Sequence, residues 1–463
     1  MAEAEGAAAR PLSFDARLWQ GQADREQRET AAAVMMAALE AVEPGEAVRR
    51  ALRRDGHRLS LDGREYDLRS CRRVIVVGAG KASAPMAAAV EDVLGSVVSG
   101  GLVVVKYGHT ARTTRVTLRE AGHPIPDEAG AAGTAEIAQM LGTTAEDDLV
   151  IVVISGGGSA LLSLPAEGIS LADIQRTTDL LLREGATINE LNTVRKHLDS
   201  VKGGGLARLA QPARLIALVL SDVVGNPLDV IASGPTVPDA STFEDACTIV
   251  DRLGVWDRLP TSVARRLRAG RGGSLPDTPK DGDPMFERTQ TVVVGSNTIA
   301  AEAAIAEARR RGLNALLLST YVEGEAREVA KVVAALAREE RAEARPLPLP
   351  CCLVLGGETT VHVRGQGVGG RNQELALAAA EKISGLPDVI IAALATDGND
   401  GPCDAAGALV DGQTIARARA LDIDPDHHLA DNDAYNFFGP LGDLLLTGPT
   451  NTNVNDLLFV FVW

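Results

Sequence analysis

The stretch Val74-Ile75-Val76-Val77-Gly78-Ala79-Gly80-Lys81 decides the fold. Its β-branched residues predict a buried strand, its glycines predict a tight turn, and Lys81 is expected to open an Ala-rich helix. The free N–H groups at a helix N-terminus favour an anion. We therefore predict an anion site in which Gly78 and Gly80 shape the turn and Lys81 supplies the charge. The alternative, a turn that only packs strand on helix, explains the glycines but leaves Lys81 unexplained.

Strand and helix patterns alternate along the rest of the chain. Apolar strands are predicted at 101–106, 149–154 and 215–220, with helices between them. This alternation is typical of an α/β fold with a parallel sheet and right-handed crossovers. We predict four parts, which are a disordered tail (1–24), a Rossmann-like domain (25–270), a linker rich in Gly, Pro and Asp (271–285) and a second α/β domain (286–463).

The composition excludes several classes of protein. A formal net charge of −16 argues against nucleic acid and anionic membranes as bulk partners. No apolar run reaches the roughly 18–20 residues that a membrane span needs. The five cysteines are odd in number and lack CxxC spacing, which predicts a reduced, cytoplasmic protein without a zinc site.

A second glycine-rich loop follows the apolar strand 149–154. Three consecutive glycines can present several N–H groups to a phosphate, and the flanking hydroxyls add donors. A flexible surface turn does not suit a loop that is fed by so apolar a strand. The predicted phosphate-binding residues of this loop are Ser155, Gly156, Gly157, Gly158 and Ser159.

A cationic segment follows at 189–205. Asn192, Arg195 and Lys196 share one helical face by their spacing, and Lys202 precedes three glycines. These residues are predicted to grip an anion. The alternative is a solvated charged face.

Carboxylates follow the ends of two further strands. Asp222 ends the strand 215–220, and ligands of open α/β sheets bind at that edge. The Asp222 carboxylate could hold Mg²⁺ or accept a hydroxyl proton. The alternative is that Asp222 only caps the next helix. Asp397 could likewise hold a metal or belong to a plain turn.

Glu358 and Arg371 lie at junctions between loops and predicted elements in the second half. A cation at a helix start is unfavourable for the helix dipole. Arg371 therefore suggests an anionic partner.

Two common nucleotide fingerprints are absent. A dinucleotide site needs an acid at the end of the second strand, and that strand ends in Lys106. A Walker A loop needs Ser or Thr after its Lys, and Ala82 stands there.

Taken together, the motifs resemble the class II glycerate 2-kinases, whose C-terminal half carries the MOFRL domain. The resemblance covers about residues 25 to 463. The matching stretches, in chain order, are Gly78–Ser83, Ser155–Ala160, Asn192–His197, Leu220–Val223, Gly234–Thr236, Gly356–Thr359, Gly370–Glu374, Thr396–Gly401 and Thr450–Asp456.

The resemblance implies two unlike α/β domains, the second with a mixed sheet, and an active site in the cleft between them. It implies transfer of the γ-phosphoryl group of ATP to the 2-hydroxyl of D-glycerate, with Mg²⁺ or a similar divalent ion. Lys81, Asp222 and Arg371 are the catalytic residues that it implies. Whether Asp222 and Asp397 act as base or as metal ligands stays open, as does a homodimer.

Two other functions compete with this one. Members of the family have also been labelled hydroxypyruvate reductase, an NAD(P)-dependent oxidoreductase. The missing ribose acid argues against that activity. A non-catalytic protein that binds small acids is less compatible with so many charged strand ends.

Overall fold

The computed structural model describes residues 13–19 and 24–463. The chain divides into two compact units. The parallel-sheet unit spans Pro44–Val294, and the mixed-sheet unit combines the described residues up to Glu43 with Gly295–Trp463. Within the described residues, no helix combines the length and apolar character needed to cross a membrane.

The strands of the described residues are β1 Arg53–Asp55, β2 Arg58–Leu61, β3 Arg64–Asp67, β4 Val74–Ala79, β5 Val98–Lys106, β6 Val116–Ala121, β7 Leu149–Ile154, β8 Arg214–Leu220, β9 Thr289–Gly295, β10 Asn314–Glu325, β11 Cys351–Thr360, β12 Val389–Ala395, β13 Gly407–Asp411, β14 Leu444–Leu445 and β15 Asp456–Val462.

The α-helices of the same residues are α1 Arg25–Ala41, α2 Pro44–Ala51, α3 Ser83–Leu94, α4 Glu128–Leu141, α5 Gly158–Leu161, α6 Leu171–Arg183, α7 Ile188–Lys196, α8 Gly205–Leu209, α9 Phe243–Leu253, α10 Thr261–Arg271, α11 Asn297–Arg310, α12 Ala326–Glu343, α13 Arg371–Lys382, α14 Thr414–Ala420, α15 Pro425–Ala430 and α16 Ala434–Phe438.

The parallel-sheet unit has the strand order of a doubly wound fold. The order is β6-β5-β4-β7-β8-β9. Each pair of neighbours in the run β6-β5-β4-β7-β8 is parallel. The chain starts at β4, moves outward through β5 and β6, and returns to β7 on the other side. Strand order therefore reverses between β4 and β7, where ligands of such sheets bind. The predicted α/β fold with a parallel sheet is confirmed.

The core of this sheet consists of side chains from its central strands. All residues of β4 and β7 are buried, which fits strands covered by helices on both faces. Continuous apolar runs of this kind predict a strand but not its partners. The helix after β4 begins at Ser83 instead of Lys81, so Lys81 lies in the turn before it.

The boundaries of the two units differ from the predicted ones. Strand β9 joins the parallel sheet beside β8, and α1 packs on α11 of the mixed-sheet unit. The predicted linker is an anchored loop, since the Thr278 hydroxyl donates to Asp239 at 2.9 Å and the Asp239 N–H donates to the Pro279 carbonyl at 2.9 Å. Gly, Pro and Asp suit a bonded loop as well as a linker, so composition alone cannot separate the two.

The predicted tail is partly ordered. Residues 1–12 and 20–23 of that prediction lie outside the described residues. Residues 13–19 differ from the prediction, since Phe14 and Leu18 are buried and Asp15 caps a short 3₁₀ turn. The Asp15 N–H also donates to the Leu446 carbonyl at 3.2 Å. Two apolar residues four positions apart are enough to hold this segment on the mixed-sheet unit.

The mixed-sheet unit has the order β10-β11-β15-β12-β13-β14. Only β10 and β11 pair in parallel among the described strands of this sheet, and the other neighbours are antiparallel. This confirms the mixed sheet. Strand β11 runs without interruption through Gly356 and Gly357 to Thr360, so Glu358 lies within a strand and not at the predicted junction with a loop.

Helix α1 is fixed to this unit by charge as well as by packing. Arg28 is fully buried and donates to Asp443 at 2.8 Å, to Asp24 at 3.0 Å and to Asp411. A buried cation needs such partners, because an unpaired one would carry a large desolvation cost. Helix α1 thus belongs structurally with the last third of the chain.

Candidate functional site

The turn after β4 and the loop after β7 interlock. A Cβ on Gly78 would overlap the Val153 carbonyl, and one on Gly80 would overlap the Ser155 hydroxyl. The Lys81 N–H donates to the Gly156 carbonyl at 2.9 Å. Glycine is therefore required here by the close approach of the two segments.

Ser155 holds this contact together from inside. It is buried, its Oγ accepts from the Ala82 N–H at 2.9 Å, and it lies 3.0 Å from the Ser83 Oγ. The hydroxyl is thus committed to the protein. The predicted donation from Ser155 to a phosphate does not fit this geometry, and its role is to align the two loops.

Lys81 and Asp222 lie against neighbouring glycines of the β7 loop. A Cβ on Gly157 would be 3.3 Å from Lys81 Cγ, and a Cβ on Gly156 would overlap the Asp222 carboxylate. The two side chains come from the ends of β4 and β8, which flank β7 in the sheet. The structure thus brings a cation and a carboxylate together at the point where the strand order reverses.

The Lys81 ammonium is half-buried and lacks an internal partner. Within residues 13–19 and 24–463 it forms neither an ion pair nor a hydrogen bond. Most cationic side chains at this depth are paired, because burying an unpaired charge is costly. Lys81 is therefore available for a ligand anion.

Two histidines at the same edge were missed by the sequence analysis. His109 follows the end of β5, and its ring Nδ1 lies 3.2 Å from the Lys81 carbonyl oxygen. His123 follows β6, and a Cβ on Gly157 would lie 2.8 Å from its Cδ2. Their position after parallel strand ends was the signal that could have found them.

Both histidines have lowered pKa values. Burial is the main cause in each, and the positive charges of Lys81 and Lys106 add to it. Both imidazoles are therefore biased towards their neutral form while no anion is bound.

Behind the β7 loop, the predicted anion-gripping residues bind the protein itself. Lys202 is fully buried, and its Nζ donates to the carbonyls of Ser159 at 2.8 Å and Leu162 at 2.7 Å. Asp199 lies 3.8 Å away, and burial lowers the Lys202 pKa to about 8. The predicted contact of Lys202 with an anion does not fit, because its donors are already used.

Lys196 is paired in a similar way. Its Nζ lies 3.1 Å from Asp239 Oδ1, and both side chains are buried. Arg195 donates to the Ser159 carbonyl at 2.8 Å, and burial lowers its pKa. Arg195 thus supports the loop and Lys196 is paired with a carboxylate of the protein, where direct contact of both with an anion was predicted.

Ser159 and Asn192 are linked through Ser233. The Ser233 hydroxyl donates to Asn192 Oδ1 at 3.2 Å and lies 2.9 Å from Ser159 Oγ. Ala232 and Ser233 have φ values of 51° and 62°, and both are buried. Left-handed backbone at non-glycine residues is costly and concentrates at functional sites. A Cβ on Gly158 would be 2.7 Å from the Ala232 Cβ, so this strained segment lies directly against the loop.

The mixed-sheet unit gathers its own set of predicted residues. Arg371 at the start of α13 donates to Asp456 at 2.5 and 3.0 Å and to Glu358 at 2.7 Å. Glu358 also accepts from Asn455 at 3.0 Å. The cation at a helix start is thus explained by two carboxylates of the protein.

Burial raises the pKa of Asp456 to about 6, although the neighbouring Arg371 works against that shift. A cavity of about 590 Å³ adjoins these groups. Its lining includes the backbone of Gly369 and Gly370 and the side chains of Thr359, Arg371 and Asp397.

Metal ligands are sparse in the described residues. Residues 13–19 and 24–463 contain no group of three or more His, Cys, Asp or Glu side chains placed to hold a metal ion. Magnesium in ATP-using enzymes is commonly held by one or two carboxylates plus phosphate oxygens. Asp222 and Asp397, which each follow the end of a strand, fit that more limited role.

Comparison with known families identifies both halves of the chain. Residues 30–268 match the model of DUF4147, a domain of unknown function, and residues 351–456 match the MOFRL family.

Individual relatives match over most of their length. The chain is 42% identical to a glycerate 2-kinase of Pyrococcus horikoshii, covering 92% of this chain and 95% of that one. It is 44% identical to an Agrobacterium vitis protein provisionally named hydroxypyruvate reductase, covering 84% and 87%. The crystal structure of a glycerate kinase from Thermotoga maritima has a TM-score of 0.86 at 41% identity, covering 95% and 100%.

Proposed function

Because this chain belongs to the class II glycerate 2-kinase family, we propose that it transfers the γ-phosphoryl group of ATP to the 2-hydroxyl of D-glycerate. The products are 2-phosphoglycerate and ADP. One observation supports this most directly, namely that Lys81 and Asp222 lie against adjacent glycines of one loop.

Lys81 is the group that we assign to the transferring phosphate. Phosphoryl transfer depends mainly on positioning and on neutralising charge. An ammonium without an internal partner can meet that charge without breaking an existing ion pair. Its backbone is fixed by the hydrogen bond from the Lys81 N–H to the Gly156 carbonyl at 2.9 Å, so only the side chain has to move.

Asp222 is the group that we assign to the acceptor hydroxyl. As the hydroxyl oxygen forms its bond to the γ-phosphorus, the bond from that phosphorus to the ADP oxygen breaks. The hydroxyl proton then passes to the Asp222 carboxylate. A carboxylate held against a glycine can approach the substrate closely, because no side chain stands between them.

A divalent cation fits this chemistry as a companion of the nucleotide. When bound, Mg²⁺ would neutralise charge on the phosphates, with Asp222 or Asp397 as its protein ligand. Asp222 would then orient the hydroxyl instead of accepting its proton.

The catalytic role of Arg371 and the substrate-binding role of Glu358 stay predictions. Their mutual contact at 2.7 Å and the Asp456 pair give Arg371 a fixed orientation. We propose that this ion cluster shapes the neighbouring cavity.

An NAD(P)-dependent reductase needs an acidic residue at the end of the second strand of its parallel sheet. Strand β5 ends at Lys106, and the acid that would bind an NAD ribose is absent there. Lys106 and His109 would instead favour an anion at this position. The kinase is therefore the proposal that these residues support.

One pair of assays separates the three functions. Purified protein is given D-glycerate, ATP and Mg²⁺ in an ADP-coupled assay, and hydroxypyruvate with NADH in a second assay. We expect ADP formation that depends on glycerate and falls strongly in Asp222→Asn. NADH oxidation without ADP formation would favour the reductase, and silence in both assays would favour a binding protein.

A further inference from the structure

Four basic side chains meet at the carboxyl ends of β4, β5 and β6. They are Lys81, Lys106, His109 and His123, here called the basic cluster, and the charges of the two lysines lower the pKa of both histidines. Within the described part of the chain, none of the four forms an ion pair with a carboxylate. Uncompensated positive charge at a sheet edge indicates a ligand that carries the missing negative charge.

The tautomer of His109 follows from its hydrogen bond. Its Nδ1 lies 3.2 Å from the Lys81 carbonyl oxygen, and a carbonyl can only accept. Nδ1 therefore carries the proton, and in the neutral ring Nε2 is left with a lone pair. An anion can be bound by Nε2 only after that nitrogen is protonated.

His123 lies directly beside the glycine loop. A Cβ on Gly157 would be 3.0 Å from the His123 Nε2 and 3.3 Å from Lys81 Cγ. The Gly157 φ of 83° and its lack of a side chain leave this position to the imidazole and the lysine. Within the described residues, His123 has no hydrogen-bond partner for either ring nitrogen.

The charged groups that face the two histidines come from two strand ends. Lys81 follows β4 and Lys106 ends β5, and His109 itself faces His123. Asp222 lies against Gly156, one residue from Gly157. Two further carboxylates are held on the neighbouring backbone, since Glu120 accepts from the Gly108 N–H at 2.6 Å and Asp127 accepts from the Gly122 N–H at 2.9 Å. The charges that shift the pKa of the two rings are nevertheless those of Lys81 and Lys106, and they lower it.

We propose that the basic cluster binds an oxyanion of the substrates and that binding is coupled to proton uptake by His123 and His109. This inference rests on the proposed kinase function. The oxyanion is a phosphate of the nucleotide or the carboxylate of glycerate. Either one supplies the negative charge that the cluster lacks and the acceptor that each protonated imidazole needs.

The sign of the pH effect follows from linkage. Anion binding raises the pKa of each histidine, so the bound state holds more protons than the free state. Affinity is then greatest below the pKa of the free protein and falls as the pH rises through the pKa of the complex. For one coupled proton, the Kd rises by up to about tenfold per pH unit in that window.

Isothermal titration calorimetry tests this directly. ADP, D-glycerate and inorganic phosphate are titrated separately into the full-length protein at one pH, in buffers with different ionisation enthalpies. The slope of the measured heat against buffer enthalpy counts the protons taken up. We expect net uptake with at least one ligand, and less uptake with His123→Gln and with His109→Gln.

The matched control is His57→Gln, because His57 is an exposed histidine next to the small β1-β2-β3 sheet. It should leave proton uptake unchanged. Uptake with ADP and phosphate alone assigns the nucleotide phosphate, and uptake with glycerate alone assigns the carboxylate.

Several results would overturn the proposal. The first is binding to the wild-type protein without proton uptake. The second is proton uptake in both histidine variants that equals the wild-type uptake. The third is no binding of any of the three ligands at millimolar concentration. The slope of heat against buffer enthalpy is measured on the wild-type protein. The test therefore stands even if a variant fails to fold. Turnover measured in parallel separates the two claims, because a kinase without proton uptake refutes only the role of the cluster.

Discussion

Lys81 and Lys202 contact the same short segment, residues 155–162, but their surroundings are opposite. Lys81 borders Gly157, is half-buried and has neighbours that are other basic groups. Lys202 is fully buried and donates to two carbonyls of that segment. One lysine has been left unpaired at the surface of the loop, and the other holds the loop from inside.

The difference separates two uses of positive charge. Where the protein supplies its own acceptors, the cation holds its own segments together. Lys202 does so through backbone carbonyls, and Lys196 and Arg371 do so through carboxylates. Where it supplies none, as in the basic cluster, the cation awaits a ligand. Sequence shows the cations in both cases, and only the structure shows whether they have partners.

The sharpest test of this comparison is Lys81→Met. We expect turnover to fall by about a thousandfold or more, since a cation on the transferring phosphate is worth that much. The free energy of unfolding should change by less than about 0.5 kcal/mol, because no internal partner is lost. Steady-state kinetics and urea unfolding measure the two effects.

Lys331→Met serves as the control for both measurements. Lys331 pairs with Glu328, and both side chains are exposed on α12. Its replacement should change neither turnover nor stability appreciably. Near-normal turnover of Lys81→Met would contradict the role of that lysine.

Lys202→Met should show the reverse pattern. Removing the ammonium takes the donor at 2.7 Å from the Leu162 carbonyl and the buried cation that lies 3.8 Å from Asp199. We therefore expect a loss of about 3–5 kcal/mol in unfolding free energy. Turnover per folded molecule should fall far less than in Lys81→Met. An unfolding curve like that of wild type would show that Lys202 is not structural.

Arg371→Met tests whether a cation that is paired with carboxylates of the protein also contributes to stability in the mixed-sheet unit. Burial raises the pKa of Asp456 to about 6 even with Arg371 present, and loss of the cation removes the main opposing influence. A raised folded-state pKa favours the protonated form, so stability is lost as the pH rises through it. We expect a loss of about 2–4 kcal/mol at pH 8 and a smaller one at pH 5, measured by urea unfolding.

The pH dependence of the unfolding free energy identifies why Arg371→Met is destabilised. If the variant is destabilised equally at both pH values, the loss comes from packing of the arginine side chain. Asp456→Asn in the same background should remove the difference between the two pH values.

The smallest effect is expected from Gly157→Ala, with Gly168→Ala as its control. Their φ values are 83° and 79°, so both alanines incur a similar backbone cost of about 1 kcal/mol. A Cβ on Gly157 would displace His123, whereas a Cβ on Gly168 meets no atom within 4 Å. We expect about tenfold weaker substrate binding in Gly157→Ala alone. Equal kinetics in the two variants would contradict the placement of His123 at the site.

The fold could be predicted where the information is local. Strands β4, β7 and β8 are apolar runs that lead into glycine or polar residues, and the predicted bounds fall close to the observed ones. The unit boundaries could not be predicted, because they depend on long-range pairing. Nothing within β9 indicates that it joins the parallel sheet, and nothing within α1 indicates that it packs on α11.

The candidate site, like the fold, was predictable only where the information is local in the sequence. Lys81 and Asp222 stand at strand ends whose strands are strongly marked, and the parallel order places those ends at one edge. Lys202 was misassigned because charge next to glycines looks alike whether its partners are a ligand or the protein. His109 and His123 stand alone in the sequence, and only the order β4-β5-β6 brings them beside Lys81.

The division of the chain also has a consequence for biosynthesis. The parallel-sheet unit is inserted into the mixed-sheet unit, and its ends are tied together by Arg50, which donates to the Val294 carbonyl at 3.0 Å. Helix α11, on which α1 packs, follows Val294 directly, whereas Asp411 and Asp443, which pair with Arg28 of α1, lie much further along the chain. At an elongation rate of about 5–20 residues per second, Asp443 follows Val294 by roughly 7–30 s, and the inserted unit can fold in that time. A nascent chain would therefore lack these two carboxylate partners of Arg28 until they are translated.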